Sequence, residues 1–501
     1  MLEIIQTPEI SHSVVPTVVI PFAVIGVVLS MIATFIAGLF GIQLKAEGPK
    51  KLLEVLLKPK ILGVALLLNL LILGGVYSYR FVSNLPSFSW WVEFKNRNPV
   101  AVDRNYEATP LPSRTVALDS KLAKIASLDV LWQIQMPEGS FNGPLLSGSS
   151  LFIGSSDGYV YEYDQKSGEK IRQFYIGTYV TPSPLVWNNT LYVGEGVHTT
   201  SYARIYAFDL KSGKFVGYFN TKGHTEGNPR VYSYEGNDLL VFSAGRDGVY
   251  AVDPKTLQEV WHFKDVIHTD SEIGFSDGFL YFSSGMEKDK AVDGQKAIAL
   301  DFVSGELIWE ADLAASGWNA PVFYKEHVCW GLGEIYLEKN FGQFACYNKY
   351  SGKSSLTINL DAPVVASPQL IDSSVFMADM RGNLCRLNIE TVTRDWCIAT
   401  QETAYTYATP LIDRSGDILF TTRDQGLWIL DAESGEKKYS WMPKEEELLK
   451  WSRPAAEMAL SIEKDELYQA DWRGTVLRKF KLVRETTNQE AKQETRQEKQ
   501  H

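Results

Sequence analysis

From residue 128 onward, apolar and polar residues alternate with period two in short runs broken by Asp, Gly, Ser and Pro. Residues 157–174, DGYVYEYDQKSGEKIRQF, show the unit: Asp157-Gly158, an alternating strand to Asp164, a Ser167-Gly168 turn, and a second strand. Aromatic and β-branched residues at period two between Gly and Asp turn signals predict a β-hairpin. The same grammar returns at 204–219, 248–263, 297–311, 344–358, 384–398 and 427–441. The turn markers are Asp164, Asp209, Asp253, Asp301, Asn348, Asn388 and Asp431, spaced by 45, 44, 48, 47, 40 and 43 residues. A self-similar period of that size signals a repeat architecture.

A second pair of strands precedes each marker, clearest at 183–194, 320–333, 367–379 and 409–422. Four short antiparallel strands per period make a propeller blade, a sheet that must stack on its neighbours to bury both faces. Residues 466–480 supply the inner part of a further blade, with Arg473-Gly474 where the first unit has Asp157-Gly158 and Phe480 in the marker's place. Its missing outer strand is supplied by VLWQIQ, residues 130–135, whose Trp132 matches the Trp eight positions after the marker in Trp261, Trp309 and Trp396. The expectation is an all-β, eight-bladed propeller over 128–483, closed non-covalently by the two ends of the domain.

The pattern from Ala251-Val252-Asp253 to Trp261 and from Ala299-Leu300-Asp301 to Trp309 resembles the tryptophan-docking motif of the pyrroloquinoline-quinone (PQQ) type propellers. The other copies carry Arg172, Gly217, Leu356 and Tyr439 at the Trp position. That resemblance implies the fold; it leaves activity open, because one such fold hosts both enzymes and scaffolds. In size and repeat the chain is similar to the propeller lipoprotein of the outer-membrane β-barrel assembly machinery (the BamB type). It departs from that type in having no Cys near the N-terminus for lipidation.

Outside the repeats the pattern changes. Residues 14–42 carry no charge over a run longer than the ~20 apolar residues that span a bilayer. Residues 61–77 form a second apolar run, and we expect a second helix over 61–81. A signal peptide competes for the first run, but residues 1–13 contain no basic residue. The loop at 43–60 holds five Lys against two Glu, which places it in the cytoplasm, with the 1–13 tail and the propeller on the periplasmic side of a bacterial inner membrane. Tyr79, Trp90 and Trp91 follow as interface aromatics. Residues 82–127 read as a tether with a short helix-like stretch at 119–127, and 484–501 as a disordered polar tail.

Charge and candidate chemistry narrow the function. Among 501 residues, 49 Lys+Arg against 60 Asp+Glu give a net charge of -11, which argues against nucleic acid as a partner. Cys329 and Cys346 lie on successive strands of blade 5, and Cys385 and Cys397 flank the Thr391 turn of blade 6. They stand either as two local disulfides in an oxidising compartment or as four buried thiols acting as small hydrophobes. No vicinal Cys pair, haem-attachment motif or nucleophile elbow occurs, and the seven His show no metal-ligand spacing. Glu195, Glu272 and Glu334 sit near strand ends, where they either line the channel or are solvated turn residues. Arg246, Arg381, Arg423 and Arg473 occupy the turn between second and third strands of four blades, forming either a ring that anchors a partner or solvated turn charges.

The expected function is a membrane-anchored, non-catalytic docking scaffold for other envelope or membrane proteins, with no catalytic residue, metal or cofactor. The alternatives are a PQQ-dependent dehydrogenase, using PQQ and calcium and passing electrons to quinone, and a sensor of a small envelope ligand. Protease added outside intact spheroplasts is expected to cut on the propeller's side of the second span and to spare the 45–60 loop. Cleavage inside that loop contradicts the topology.

Overall fold

The computed structural model describes residues 89–485 except 111–114, 141–142, 178, 181, 198–199, 201, 267, 286–293, 335–340, 401–407, 423–424, 444–457, 462–463 and 472–474. The two expected spans, the loop between them and the polar tail lie outside the described residues. Among the described residues, no helix is long and apolar enough to cross a membrane.

The strands form eight four-stranded antiparallel sheets. Seven are consecutive in sequence, from Leu145–Ser147 to Lys437–Trp441. The eighth joins Met458–Ser461, Glu466–Ala470 and Val476–Arg484 to Ile125–Gln135 from the other end of the domain. The closing strand pairs from Ile125 with Arg484 to Gln135 with Val476, so it begins slightly before the expected boundary. In blade 6 the first two strands are wholly buried and half of the third is, whereas the fourth, Thr393–Ala399, is largely exposed.

The marker residue earns its place by local chemistry. Asp301 Oδ1 accepts from the Val303 and Ser304 backbone N–H groups and from Ser304 Oγ. Asp164, Asp253, Asn348, Asn388 and Asp431 each accept from the backbone N–H groups two and three residues on. This is the side-chain turn that favours Asp and Asn. The following Gly305, Gly352 and Gly435 have φ of 72°, 68° and 75°.

Those glycines are also landing sites for the docking tryptophans of the preceding blade. A Cβ on Gly305 would stand 2.5 Å from the Trp261 ring, one on Gly352 2.7 Å from Trp309, and one on Gly435 2.9 Å from Trp396. Each indole N–H then donates to a carbonyl of the next blade's turn: Trp132 to Gln165, Trp261 to Phe302, Trp309 to Lys349 and Trp396 to Glu433, at 2.8–3.1 Å.

Two of the degenerate copies are compensated. Where blade 2 has Gly217 in place of Trp, blade 3 has Leu257 in place of the turn Gly, and the Leu side chain fills the space over Gly217. In blade 1, Arg172 substitutes for the indole donor: its guanidinium donates to the Leu210 carbonyl of blade 2 at 2.5 Å and to Glu162 at 2.5 Å. Glu162 is wholly buried and also accepts from Ser150 and Tyr106.

The stretch expected to be a tether is packed onto the propeller. Ser89–Lys95 is a short helix whose Val92 is buried in the core of blades 1 and 2. Beyond it, Val102 N–H donates to Lys211 O, Thr109 N–H to Val186 O, Val116 N–H to Leu370 O, and Asp119 N–H to Arg414 O. Val186 belongs to the first strand of blade 2 and Leu370 to that of blade 6, which face each other in a ring of eight. The chain between Thr109 and Thr115 can reach at most about 21 Å. The two described stretches on either side, 96–110 and 115–124, are thus anchored on blades that face each other. Arg104 pairs with Asp164 and Lys124 with Asp431, fastening both ends of this strap to turn markers. The expected helix over 119–127 is a turn running into the closing strand, because Ile125 is drawn into register with Arg484.

Deleting residues 128–136 removes most of the closing strand and is expected to give an aggregation-prone domain with an unpaired edge. A soluble, monomeric deletion with unchanged melting contradicts the closure. Arg172→Leu strips a buried carboxylate of its cation and a carbonyl of its donor, and should lower stability in denaturant titration by about 3 kcal/mol or more. Trp309→Phe keeps the packing and forfeits one hydrogen bond, so about 1 kcal/mol is expected.

Candidate functional site

Consecutive turns of an antiparallel blade alternate between its two ends. First-to-second and third-to-fourth strand turns therefore share one end of the ring, the end on which the strap is anchored. The opposite end gathers the second-to-third strand turns and the loops between blades. The strand-end acids and the described turn arginines fall at this second end, whereas the docking tryptophans land on third-to-fourth strand turns at the other.

Glu195 and Glu334 each follow the last residue of a second strand, and Glu272 lies in the loop from blade 3 to blade 4. All three are buried, which corrects the expectation of solvated turn acids. Glu195 Oε2 accepts from the Tyr206 hydroxyl at 3.0 Å. Glu272 Oε2 accepts from Arg230 at 2.9 Å and Asn228 at 3.0 Å. Glu334 Oε1 accepts from both the backbone N–H and hydroxyl of Ser316, at 2.7 and 2.6 Å. Each carboxylate is thus tied to its own neighbourhood.

Arg246 and Arg381 are exposed on this end, in turns of one design. In blade 3, Asp247 accepts from Tyr250 and from the Lys222 backbone of the adjoining loop. In blade 6, Asp379 accepts from the backbone N–H of Arg381 and Asn383 and from the Asn383 amide. Burial pushes the Asp379 carboxyl above its ordinary value, against the lowering effect of those bonds. Arg423 and Arg473 lie outside the described residues. The structure joins Cys329 to Cys346 and Cys385 to Cys397, each pair directly opposite on adjacent strands.

One constellation escaped the sequence reading. His224, His268 and Asp270 offer ligand atoms that all lie within 4.8 Å of one another. His224 comes from the loop between blades 2 and 3, and the other two from the loop between blades 3 and 4. The Nε2 atoms of His224 and His268 meet the two Asp270 carboxylate oxygens at 2.8 and 2.7 Å. Burial alone would raise the Asp270 pKa, but the two imidazoles hold it well below the usual carboxylate range. His224 fits because residue 245 is Gly: a Cβ there would stand 2.7 Å from the ring's Cε1. Read linearly the histidines look scattered. Read modulo the repeat, positions 224 and 268 are separated by the same 44 residues as markers Asp209 and Asp253, and that register was the available signal.

Among the described residues, several buried polar atoms at this end have no hydrogen-bond partner: Ser243 Oγ and Ser283 Oγ at the ends of second strands, His268 Nδ1, and Glu334 Oε2.

These features define a class by fold, an eight-bladed β-propeller of four-stranded antiparallel blades. Residues 245–331 and 331–437 match the family model described as outer membrane protein assembly factor BamB. BamB from Moraxella catarrhalis shares the fold at a TM-score of 0.55 and 14% identity, over 72% of this chain and 100% of that one. The quinohemoprotein alcohol dehydrogenase of Comamonas testosteroni does so at 0.56 and 12%, over 79% and 83%. A tetrathionate hydrolase of Acidithiobacillus ferrooxidans (strain ATCC 23270 / DSM 14882 / CIP 104768 / NCIMB 8455) is 26% identical over 145 residues, 25% of this chain and 28% of that protein. The match thus spans well under half of the relative's length, and the two solved structures speak for fold alone.

Proposed function

We propose that the chain is a membrane-anchored propeller that acts as a non-catalytic docking scaffold in an envelope complex, using the end of the ring opposite the strap. The observation that carries this reading is the fate of the strand-end acids. A calcium and quinone centre needs carboxylates converging on one cation, whereas Glu195, Glu272 and Glu334 are each bonded to residues beside them. The donor set that does converge, His224, His268 and Asp270, is rich in imidazole nitrogen, which suits calcium poorly. Among the described residues these donor sets favour a scaffold over a PQQ and calcium centre.

Further support comes from the likeness to BamB, an assembly factor by its printed description. The anchor rests on the apolar runs at 14–42 and 61–77, and the periplasmic placement on the five-Lys loop between them. The paired cysteines suit the same compartment. The exposed Arg246 and Arg381 turns supply cations of the kind that anchor a partner's carboxylates bidentately. A PQQ-dependent dehydrogenase is the second reading, supported by the fold shared with an alcohol dehydrogenase.

Ligand that binds only the native state must stabilise it by mass action. Adding PQQ and calcium should therefore leave the melting temperature unchanged, with no dye-linked alcohol or sugar oxidation. Reversing charge at Arg246, Arg381, Arg423 and Arg473 together should release a co-purifying partner without unfolding the ring, since exposed charges contribute little to stability. Saturable PQQ binding, with turnover lost in Glu272→Gln or Glu334→Gln, overturns the scaffold reading.

A further inference from the structure

We infer that His224, His268 and Asp270 form a binding site for a divalent transition-metal ion, with zinc as the simplest occupant, that clips the loop between blades 2 and 3 to the loop between blades 3 and 4. This goes beyond the docking role and is independent of it.

The donor chemistry is the first argument. Two imidazoles and one carboxylate, with ligand atoms within 4.8 Å of one another, make a set that suits zinc, iron, cobalt, nickel or copper. Calcium and magnesium take oxygen ligands. Three protein ligands also leave a fourth position open to water or to a partner's side chain.

The second argument is the bonding of His268. Its Nε2 is spent on Asp270, and among the described residues its Nδ1 is buried with no partner in a ring that is 1% exposed. With the proton on Nε2, Nδ1 is a bare lone pair; with both nitrogens protonated, it is an N–H without an acceptor. Hydrogen bonding alone therefore does not account for burying this ring. A cation between the two Nε2 atoms and Asp270 takes the place of the protons they share and uses all three residues as ligands.

Access and support are the third. The Asp270 side chain is 10% exposed, against 4% for His224 and 1% for His268, so an ion approaches past the carboxylate. The loop between blades 3 and 4 is held by reciprocal Gly245 and Thr269 backbone bonds of 3.1 Å and by Gly285 N–H donating to His268 O, and the loop between blades 2 and 3 by Thr225 N–H donating to Glu195 O and Lys222 N–H to Asp247. The exposed Arg246 follows Gly245 directly, so the clipped loops and the proposed docking turns share one end of the ring.

The test is calorimetric titration of the full-length, chelator-treated chain in detergent with zinc chloride, with total zinc counted by mass spectrometry. One zinc per chain, no response to calcium chloride and a raised melting temperature are expected. His224→Gln and Asp270→Asn should each weaken zinc binding roughly tenfold to a hundredfold while keeping the far-ultraviolet spectrum. Cobalt titration of the unaltered chain gives a readout that needs no variant: visible d–d bands of a nitrogen and oxygen site should appear and be displaced by zinc. Absence of saturable binding in the unaltered chain, or equal affinity in both folded variants, overturns the site.

Discussion

The ring depends on one repeated contact, an indole laid over a turn glycine of the next blade with its N–H bonded to that turn's carbonyl. A four-stranded blade has two apolar faces and no core of its own, so every blade must be told where its neighbour sits. The contact does this with three residues: the Asp that shapes the turn, the Gly that admits the ring, and the Trp that covers it. Where one is missing the others shift in concert, as with Leu257 over Gly217, or another donor is recruited, as with Arg172 on the Leu210 carbonyl. The Trp132 to Gln165 bond carries the same contact across the junction between chain ends. Closure therefore uses the grammar of every other interface.

This is also why so much of the fold was legible. Marker, glycine and tryptophan act through local or nearest-neighbour chemistry at a fixed period, and that period survives in the sequence even where single residues change. The strap left no such trace. Residues 96–124 are held by backbone bonds to Lys211, Val186, Leu370 and Arg414 and by two ion pairs, none of which imposes periodicity, so polar and Pro-rich composition pointed to a free tether. The acids were misjudged for a related reason. A Glu after a strand is usually solvated, but Glu195 and Glu334 follow second strands, where the neighbouring interblade loops close over them. The histidine pair became visible only once the repeat supplied the register that places 224 and 268 at equivalent points.

The two ends of the ring are chemically unlike. One carries the anchored stretches of the strap, stitched by Arg104 with Asp164 and Lys124 with Asp431. The other carries exposed arginine turns, buried strand-end acids with local partners, and buried polar atoms at Ser243, Ser283, His268 and Glu334 that find no hydrogen-bond partner among the described residues. A surface of that kind is suited to receiving something, and the local tying of the acids favours a macromolecule or a structural ion over a redox cofactor.

The central claim is that partners meet the end of the ring opposite the strap. Site-specific photocrosslinking in cells tests it most directly, with the reactive side chain placed at Arg246 or Arg381 on that end, or at Lys255 in a third-to-fourth strand turn on the strap's end. The account predicts a discrete, higher-mass adduct from positions 246 and 381 and none from 255. Adducts from 255 alone would contradict it.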